Sequence, residues 1–148
     1  MLLNAVIRFK HQPVCVVQGD MLQLPFPDGI FDKSVSITAL EFIEDAKTAM
    51  NELFRVTRSG GSVIVATLNS LSPWAVRRSQ KTEDHLLANA IYRSPSDLLE
   101  LAGLEGVAET AVHFMNNDEP ENAKMVEREG KLRKLDTGAF VAVHWYKP

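Results

Sequence analysis

Apolar residues recur along the chain with two different periods. Short β-branched runs at PVCVVQ (13–18), KSVSITAL (33–40) and GSVIVATL (61–68) each predict a strand. The third is so continuously apolar that a strand covered on both faces is expected. Two further runs, VAETAVHF (107–114) and AFVAVHWYK (139–147), predict strands near the end of the chain. Between the second and third runs the period changes. Ala46, Ala49, Met50, Leu53, Phe54 and Thr57 fall on one helical face, with Asp45 placed as N-cap and Gly60 as C-terminal stop. SPSDLLELAGLEG (94–106) predicts a second helix, with Ser94 as N-cap, Pro95 at the first helical position and Gly103 past the end. The polar stretch that follows the fourth strand predicts a third helix over about 121–135, since a structureless loop of that length is unusual. At the start, Leu2, Leu3, Val6 and Ile7 share one helical face of residues 1–10.

Strand, helix and strand within residues 33–68 form a βαβ unit, whose two strands run parallel. The whole order predicts an α/β sandwich in which helices cover a mostly parallel sheet. The 148 residues are expected to form a single domain spanning 1–148. With 45% hydrophobic and 24% charged residues and a net charge of −3, the composition is that of a globular protein without a nucleic-acid partner. The basic stretches RRSQK (77–81) and REGKLRK (128–134) are diluted by neighbouring acids and read as solvated surface. No apolar run reaches the ~18 residues that cross a bilayer, so neither a membrane partner nor a membrane location is expected, and cytoplasm is the default. The single cysteine, Cys15, excludes an intrachain disulfide and is expected as a buried strand residue. His11, His85, His113 and His144 show no metal-ligand spacing, and no metal is expected.

Open α/β sheets bind ligands at the carboxyl ends of their strands. The first predicted strand ends at QGDMLQ, which places Asp20 and Met21 there. A carboxylate at Asp20 can accept from a ribose or an exocyclic amine, and the Met21 N–H can donate to a ring nitrogen; equally, Asp20 can cap a turn. Thr38, Ala39 and Leu40 end the next strand and face the same crevice, followed by Glu41 and Phe42. Glu41 and Asp45 also suit the positive end of the following helix without further role. Asn69, Ser70 and Trp74 open an irregular stretch reaching to about Tyr92, a candidate lid or substrate wall.

The run GDMLQLPFPDGIFDKSVSITALEFIEDAKTAMNELFRVTRSGGSVIVATLN resembles the middle of the class I S-adenosylmethionine-dependent methyltransferases, in particular their ubiquinone- and menaquinone-methyltransferase-like small-molecule branch. The shared features are a GD turn, an LPF-x-D-x-x-FD loop, an apolar strand, a Leu-Glu turn, a helix and a Gly-Gly turn into a strand. The likeness implies a Rossmann-like methyltransferase sandwich with a C-terminal antiparallel pair. It also implies S-adenosylmethionine as cofactor and a small molecule as methyl acceptor. By the resemblance, Asp20 would meet the adenine amine, the Met21 N–H would donate to the adenine ring, and Thr38, Ala39 and Leu40 would line the methionine and ribose side. Phe26 and Phe31 would anchor the LPFPDGIFD loop in the core. Phe42 stands where the branch often carries a histidine. Glu41, His85 and Tyr92 are the nearest candidates for a general base, and no catalytic residue is assigned.

The branch's Gly-rich loop, and the ribose-holding acid about twenty residues after it, have no counterpart in this sequence. The expectation is an N-terminally truncated form, comprising the C-terminal two-thirds of the usual fold. Its sheet edge would then be exposed and open to a homodimer or a partner chain. The competing functional reading is a non-catalytic methyltransferase-like subunit that docks through that edge. A nicotinamide-dependent dehydrogenase half is weaker, because LPFPDGIFD has no role in one.

Overall fold

A computed structural model describes residues 13–79 and 89–148. Its strands are β1 (Phe31–Ile37), β2 (Thr57–Leu68), β3 (Val107–Ala111) and β4 (Phe140–Tyr146). Its helices are α1 (Ala46–Val56), α2 (Pro73–Ser79), α3 (Pro95–Ala102) and α4 (Pro120–Leu132), with a 3-10 turn at Leu40–Phe42. The sheet order is β1-β2-β4-β3. β1 and β2 pair in parallel, and β4 is antiparallel to both β2 and β3. Three of the four described strands therefore run one way, and β4 alone is reversed. This is the expected α/β sheet with its C-terminal antiparallel pair.

Alternation along β4 decides which side of the sheet is covered. Val141, Val143 and Trp145 are fully buried, while Ala142 and Tyr146 are exposed. Across the sheet, Val63 and Val65 of β2 share the buried side with Val143 and Trp145. Met50 and Leu53 of α1 and Leu98 of α3 pack onto it, together with Leu40. The opposite side carries cross-strand rows that include Val35, Ile64, His144 and Val107, and then Ile37, Ala66, Ala142 and Glu109. None of these residues belongs to the core cluster.

The helix boundaries follow the local chemistry. The Asp45 carboxylate accepts from the Thr48 N–H at 3.0 Å and caps α1 as expected. The helix ends at Val56, before the expected stop at Gly60, because Thr57 turns extended. The buried Thr57 hydroxyl lies 2.7 Å from both the Leu53 carbonyl and the Ser34 hydroxyl, which holds this β-branched residue at the start of β2. Ser94 and Asp97 form a reciprocal capping box on α3, and Gly103 closes it in the left-handed region at φ 64.

Three other expectations are corrected. PVCVVQ is not a strand: residues 13–18 run as irregular chain and all but Val16 are exposed. A strand needs a neighbour to accept its ladder bonds, and the β-branched run has none among the described residues. Cys15 is accordingly exposed rather than buried. The stretch after Asn69 is not wholly irregular, since α2 forms at Pro73 with the Ser72 hydroxyl accepting from the Trp74 N–H. The helix expected over residues 1–10, together with His11 and His85, lies outside the described residues. Among the described residues, no helix is long and apolar enough to cross a membrane.

Candidate functional site

The LPFPDGIFD loop is held in one shape by a helix-borne pair three residues apart, Glu52 and Arg55. The Arg55 guanidinium donates from Nε to Glu52 Oε1 at 2.6 Å and from its NH1 nitrogen to the Phe26 carbonyl at 2.8 Å and to Asp28 at 2.6 Å. Its NH2 nitrogen reaches the Leu24 carbonyl at 3.0 Å and Glu52 Oε2 at 2.8 Å. Five N–H donors thus meet five acceptors, the full capacity of the group. Glu52 Oε2 also accepts from the Leu24 N–H at 2.7 Å, and the Arg55 carbonyl accepts from the Gly29 N–H at 2.9 Å. The Arg55 hydrogen bonds hold the Glu52 carboxyl below its ordinary range, against the opposing effect of burial. Gly29 sits at φ 63, where a side chain is disfavoured. Phe26 and Phe31 are half-buried and meet edge to face at 5.0 Å, so they anchor each other rather than joining the core cluster as expected.

Past β1 the chain turns sharply. Thr38 is a non-glycine residue at φ 48, and its N–H donates to the Ala66 carbonyl at 2.9 Å. Strained backbone of this kind costs on the order of 1–3 kcal/mol and persists only where its surroundings impose it. Just beyond it, Arg93 holds the Leu40–Ile43 turn. Only 8% exposed, it donates to the carbonyls of Leu40 at 2.7 Å, Ile91 at 3.3 Å and Ile43 at 3.0 Å. Burial lowers its pKa, and the nearby charges of Glu41 and Asp97 oppose that shift. Glu41 is fully buried, with Oε1 accepting from the Leu68 N–H at 2.9 Å. Its backbone carbonyl accepts from the Ile91 N–H at 2.8 Å. Glu41 and Arg93 therefore join the ends of β1 and β2 to the chain returning at residue 91.

Of the five residues expected around the cofactor, two meet the core cluster. Met21 packs against that cluster, and Leu40 is part of it. Asp20 is exposed, and its Oδ1 accepts from the Leu22 N–H at 2.9 Å in a tight turn closed by the Gln23 N–H donating to the Asp20 carbonyl. Both readings of Asp20 thus remain compatible: it shapes a turn, and its second oxygen has no partner among the described residues. The same holds for the Met21 N–H. Thr38 is exposed and Ala39 half-buried at the strand end, while the Leu40 side chain is completely buried and serves the core. Three buried polar atoms near the ends of β1 and β2, Ser36 Oγ, Thr67 Oγ1 and Glu41 Oε2, also have no protein partner among the described residues.

Other candidates take structural positions. With one oxygen bonded to Leu68 and no exposed surface, Glu41 is a strand-end brace rather than a base facing solvent. Asn69 is 1% exposed, donates to the Asp136 and Gly138 carbonyls at 2.6 and 2.8 Å, and accepts from the Leu71 N–H. Trp74 donates from its indole to the Phe114 carbonyl at 3.0 Å. Tyr92 is half-buried beside Arg93 in sequence, and Phe42 is 53% exposed at the mouth of the turn. Arg93 and the Glu52–Arg55 pair were not singled out from sequence. Glu52 and Arg55 at i, i+3 on a helix were a legible signal, but Arg93 lies 53 residues from the carbonyl it holds at Leu40. A cleft of about 540 Å³ lies elsewhere, between β3 and α4, and none of the five expected residues lines it. No group of three or more metal-ligating side chains occurs among the described residues.

Comparison with known proteins gives a consistent result. Residues 1–65 match the family described as a methyltransferase domain. The chain is 31% identical over 144 residues to the demethylmenaquinone methyltransferase of Streptomyces avermitilis, an alignment covering 91% of this chain and 58% of that protein. The Mycobacterium marinum demethylmenaquinone methyltransferase is 30% identical over 93% of this chain and 60% of that protein. Among solved structures, a Thermotoga maritima S-adenosylmethionine-dependent methyltransferase shares the fold with a TM-score of 0.75 at 21% identity, over 94% of this chain and 66% of that one. A Haemonchus contortus phosphoethanolamine N-methyltransferase solved with S-adenosyl-L-methionine gives a TM-score of 0.65 at 16% identity, over all of this chain and 41% of that one. The chain spans about three fifths of the length of these demethylmenaquinone methyltransferases.

Proposed function

The chain is related in sequence and fold to the class I S-adenosylmethionine-dependent methyltransferases, and we propose that its strand-end crevice binds S-adenosylmethionine for methyl transfer to a small molecule. The observation that carries this reading is the Asp20–Gln23 turn. It presents an exposed carboxylate oxygen and the adjacent Met21 N–H, both without a partner among the described residues, beside the cluster that contains Leu40. In this reading Asp20 accepts from the adenine amine, the Met21 N–H donates to the ring, and the Thr38–Leu40 backbone borders the methionine and ribose side. When bound, S-adenosylmethionine supplies an electrophilic methyl on a sulfonium. The task left to the chain is orientation: the Arg93-held turn fixes the Leu40–Ile43 side of the crevice, and alignment of donor and acceptor supplies much of the rate. Glu41 takes no proton from the acceptor in this scheme, because its free oxygen is buried. Phe42 offers an exposed aromatic wall for an apolar acceptor.

Calorimetric titration of the full chain with S-adenosylmethionine tests the proposal. Saturable heat is expected at sub-millimolar cofactor, and Asp20→Ala should weaken it about tenfold, the equivalent of one charge-assisted hydrogen bond. No heat at millimolar cofactor would overturn the reading for this chain. The docking-subunit reading is favoured by one observation, that β1 is an edge strand among the described residues. A chain that binds cofactor and remains monomeric in light scattering rejects it.

A further inference from the structure

β3 ends the described sheet, and its outer edge has no strand beside it among the described residues. The cleft of about 540 Å³ at that edge is bordered by residues 107–110, four consecutive residues of the strand. Side chains of a strand point alternately to its two faces. A space that meets four in a row therefore runs along the main-chain edge rather than over one face. The far wall is the end of α4, where Gly130, Lys131, Lys134 and Leu135 line it, with Pro95 beside them. An unpaired edge next to a helix is the geometry in which an extended segment adds as one more strand.

The walls are preformed. The Glu127 carboxylate of α4 accepts from the Val112 and His113 N–H groups, the latter at 2.8 Å, and lies 3.1 Å from His113 Nδ1. The His113 ring lies against Gly130, where it leaves no room for a Cβ. The Thr110 hydroxyl donates to the Leu135 carbonyl and shuts the cleft at that end. α4 stops in a Schellman turn, with the Lys134 N–H donating to the Lys131 carbonyl at 3.1 Å and the Leu135 N–H to the Gly130 carbonyl at 3.0 Å. The left-handed position of such a turn usually falls to glycine, and here, at φ 51, it carries Lys134. Its ammonium borders the cleft and has no partner among the described residues. A strained turn thus places an unpaired cation at the closed end. Lys131, held by Glu127 at 3.3 Å, lies beside it.

These features select the occupant. A strand residue fills roughly 160 Å³, about 3.3 by 4.8 by 10 Å, so the cleft takes about three or four residues. A second copy of the sheet does not fit. Pairing β3 with its own copy about Glu109, its middle residue, sets like charges opposite each other, and α4 stands where the second sheet would continue. An interior stretch of another chain would have to leave through the shut Thr110 end. The end of a chain need not, and its carboxylate then meets Lys134 and Lys131, which outweigh Asp136 there. We propose that the groove between β3 and α4 takes the C-terminal end of another polypeptide, which adds to β3 in parallel and sets its terminal carboxylate on Lys134. This edge is the one farthest from β1, and the proposal stands whether or not the crevice binds S-adenosylmethionine.

The probe is a hexapeptide of alternating threonine and valine, labelled with fluorescein at its N-terminus, because main-chain bonds carry the affinity of strand addition. Titrated with the full chain, the peptide with a free carboxyl terminus should reach a saturating anisotropy, and its C-terminal amide should bind about tenfold more weakly. Lys134→Gly suits the left-handed turn and so preserves the fold. In that variant the free-acid peptide should bind as weakly as the amide does to the parent. Methylating the peptide's amide nitrogens should abolish binding. At saturation, amide exchange along β3 should slow several-fold while that of β1 stays as it was. Equal affinity of acid and amide, or unchanged affinity in Lys134→Gly, would overturn the proposal. So would protection that appears at β1 instead of β3, or the absence of a saturating signal at millimolar protein.

Discussion

Two arginines hold two stretches of chain at opposite ends of β1, and they do so in different media. Arg55 grips the LPFPDGIFD loop from the surface of α1, with its side chain 30% exposed and two carboxylates, Glu52 and Asp28, among its acceptors. Arg93 grips the Leu40–Ile43 turn from the interior, bonded to carbonyl oxygens alone, with Glu41 as a buried charge nearby. The first clamp is electrostatically satisfied and wet. The second replaces lost hydration with backbone dipoles and one uncontacted carboxylate. Losing a guanidinium to water exposes groups that water can serve, whereas losing one from the interior leaves them unserved.

The largest effect is therefore expected at Arg93. Arg93→Met should lower the unfolding free energy by about 3–5 kcal/mol in urea titration, because it orphans buried carbonyls and leaves Glu41 a buried charge without a counterion. A loss below about 1 kcal/mol would remove the distinction between the clamps. Glu41→Gln tests the other half of the same site. It retains an acceptor for the Leu68 N–H while removing the charge, so a smaller cost of about 1–2 kcal/mol is expected. In Arg93→Met/Glu41→Gln the two losses should not add. Arg55→Met should differ in kind. Its global unfolding should change little, while amide exchange at Leu24 and Gly29, both tied to the α1 clamp, should accelerate at least tenfold. Equal protection in variant and parent would mean that the two phenylalanines alone hold the loop.

The same contrast explains what was legible in the amino-acid order. The elements with local signals emerged at nearly their final bounds: the Asp45 cap, the Ser94–Asp97 capping box with Pro95 and Gly103, and the alternation of β4. Misreadings arose where a distant partner decides the outcome. PVCVVQ has the composition of a strand, but strand formation depends on a neighbour that composition cannot supply. Gly60 looked like a helix stop, yet the Thr57 hydroxyl bonded to Ser34, 23 residues earlier, ended the helix first. At the site, the GD turn and the strand-end residues could be located from their motif. The clamps behind them could not be found equally well: Glu52 and Arg55 advertise themselves as an i, i+3 pair, while Arg93 belongs to no local pattern.

Acid provides the mildest way to separate the clamps. The Glu52 carboxyl is held below its ordinary range, chiefly by the Arg55 hydrogen bonds, so its folded-state pKa lies below the unfolded value of about 4.3. The stabilisation it provides is complete above the unfolded pKa and is lost as pH falls through the folded one. The Leu24 amide, which donates to Glu52 Oε2, should report this directly. Between pH 6 and 3 its NMR shift should stay constant to near pH 4 and then move, with a midpoint below that of an ordinary glutamate. Glu52→Gln should abolish the transition. The acceptors of Arg93 are carbonyls and do not titrate, so the Ile91 amide in the same turn should not move with the Leu24 midpoint. A Leu24 midpoint at or above 4.3 would mean that Arg55 does not hold the carboxylate in solution, and a shared midpoint at both amides would mean that the loop and the turn open as one.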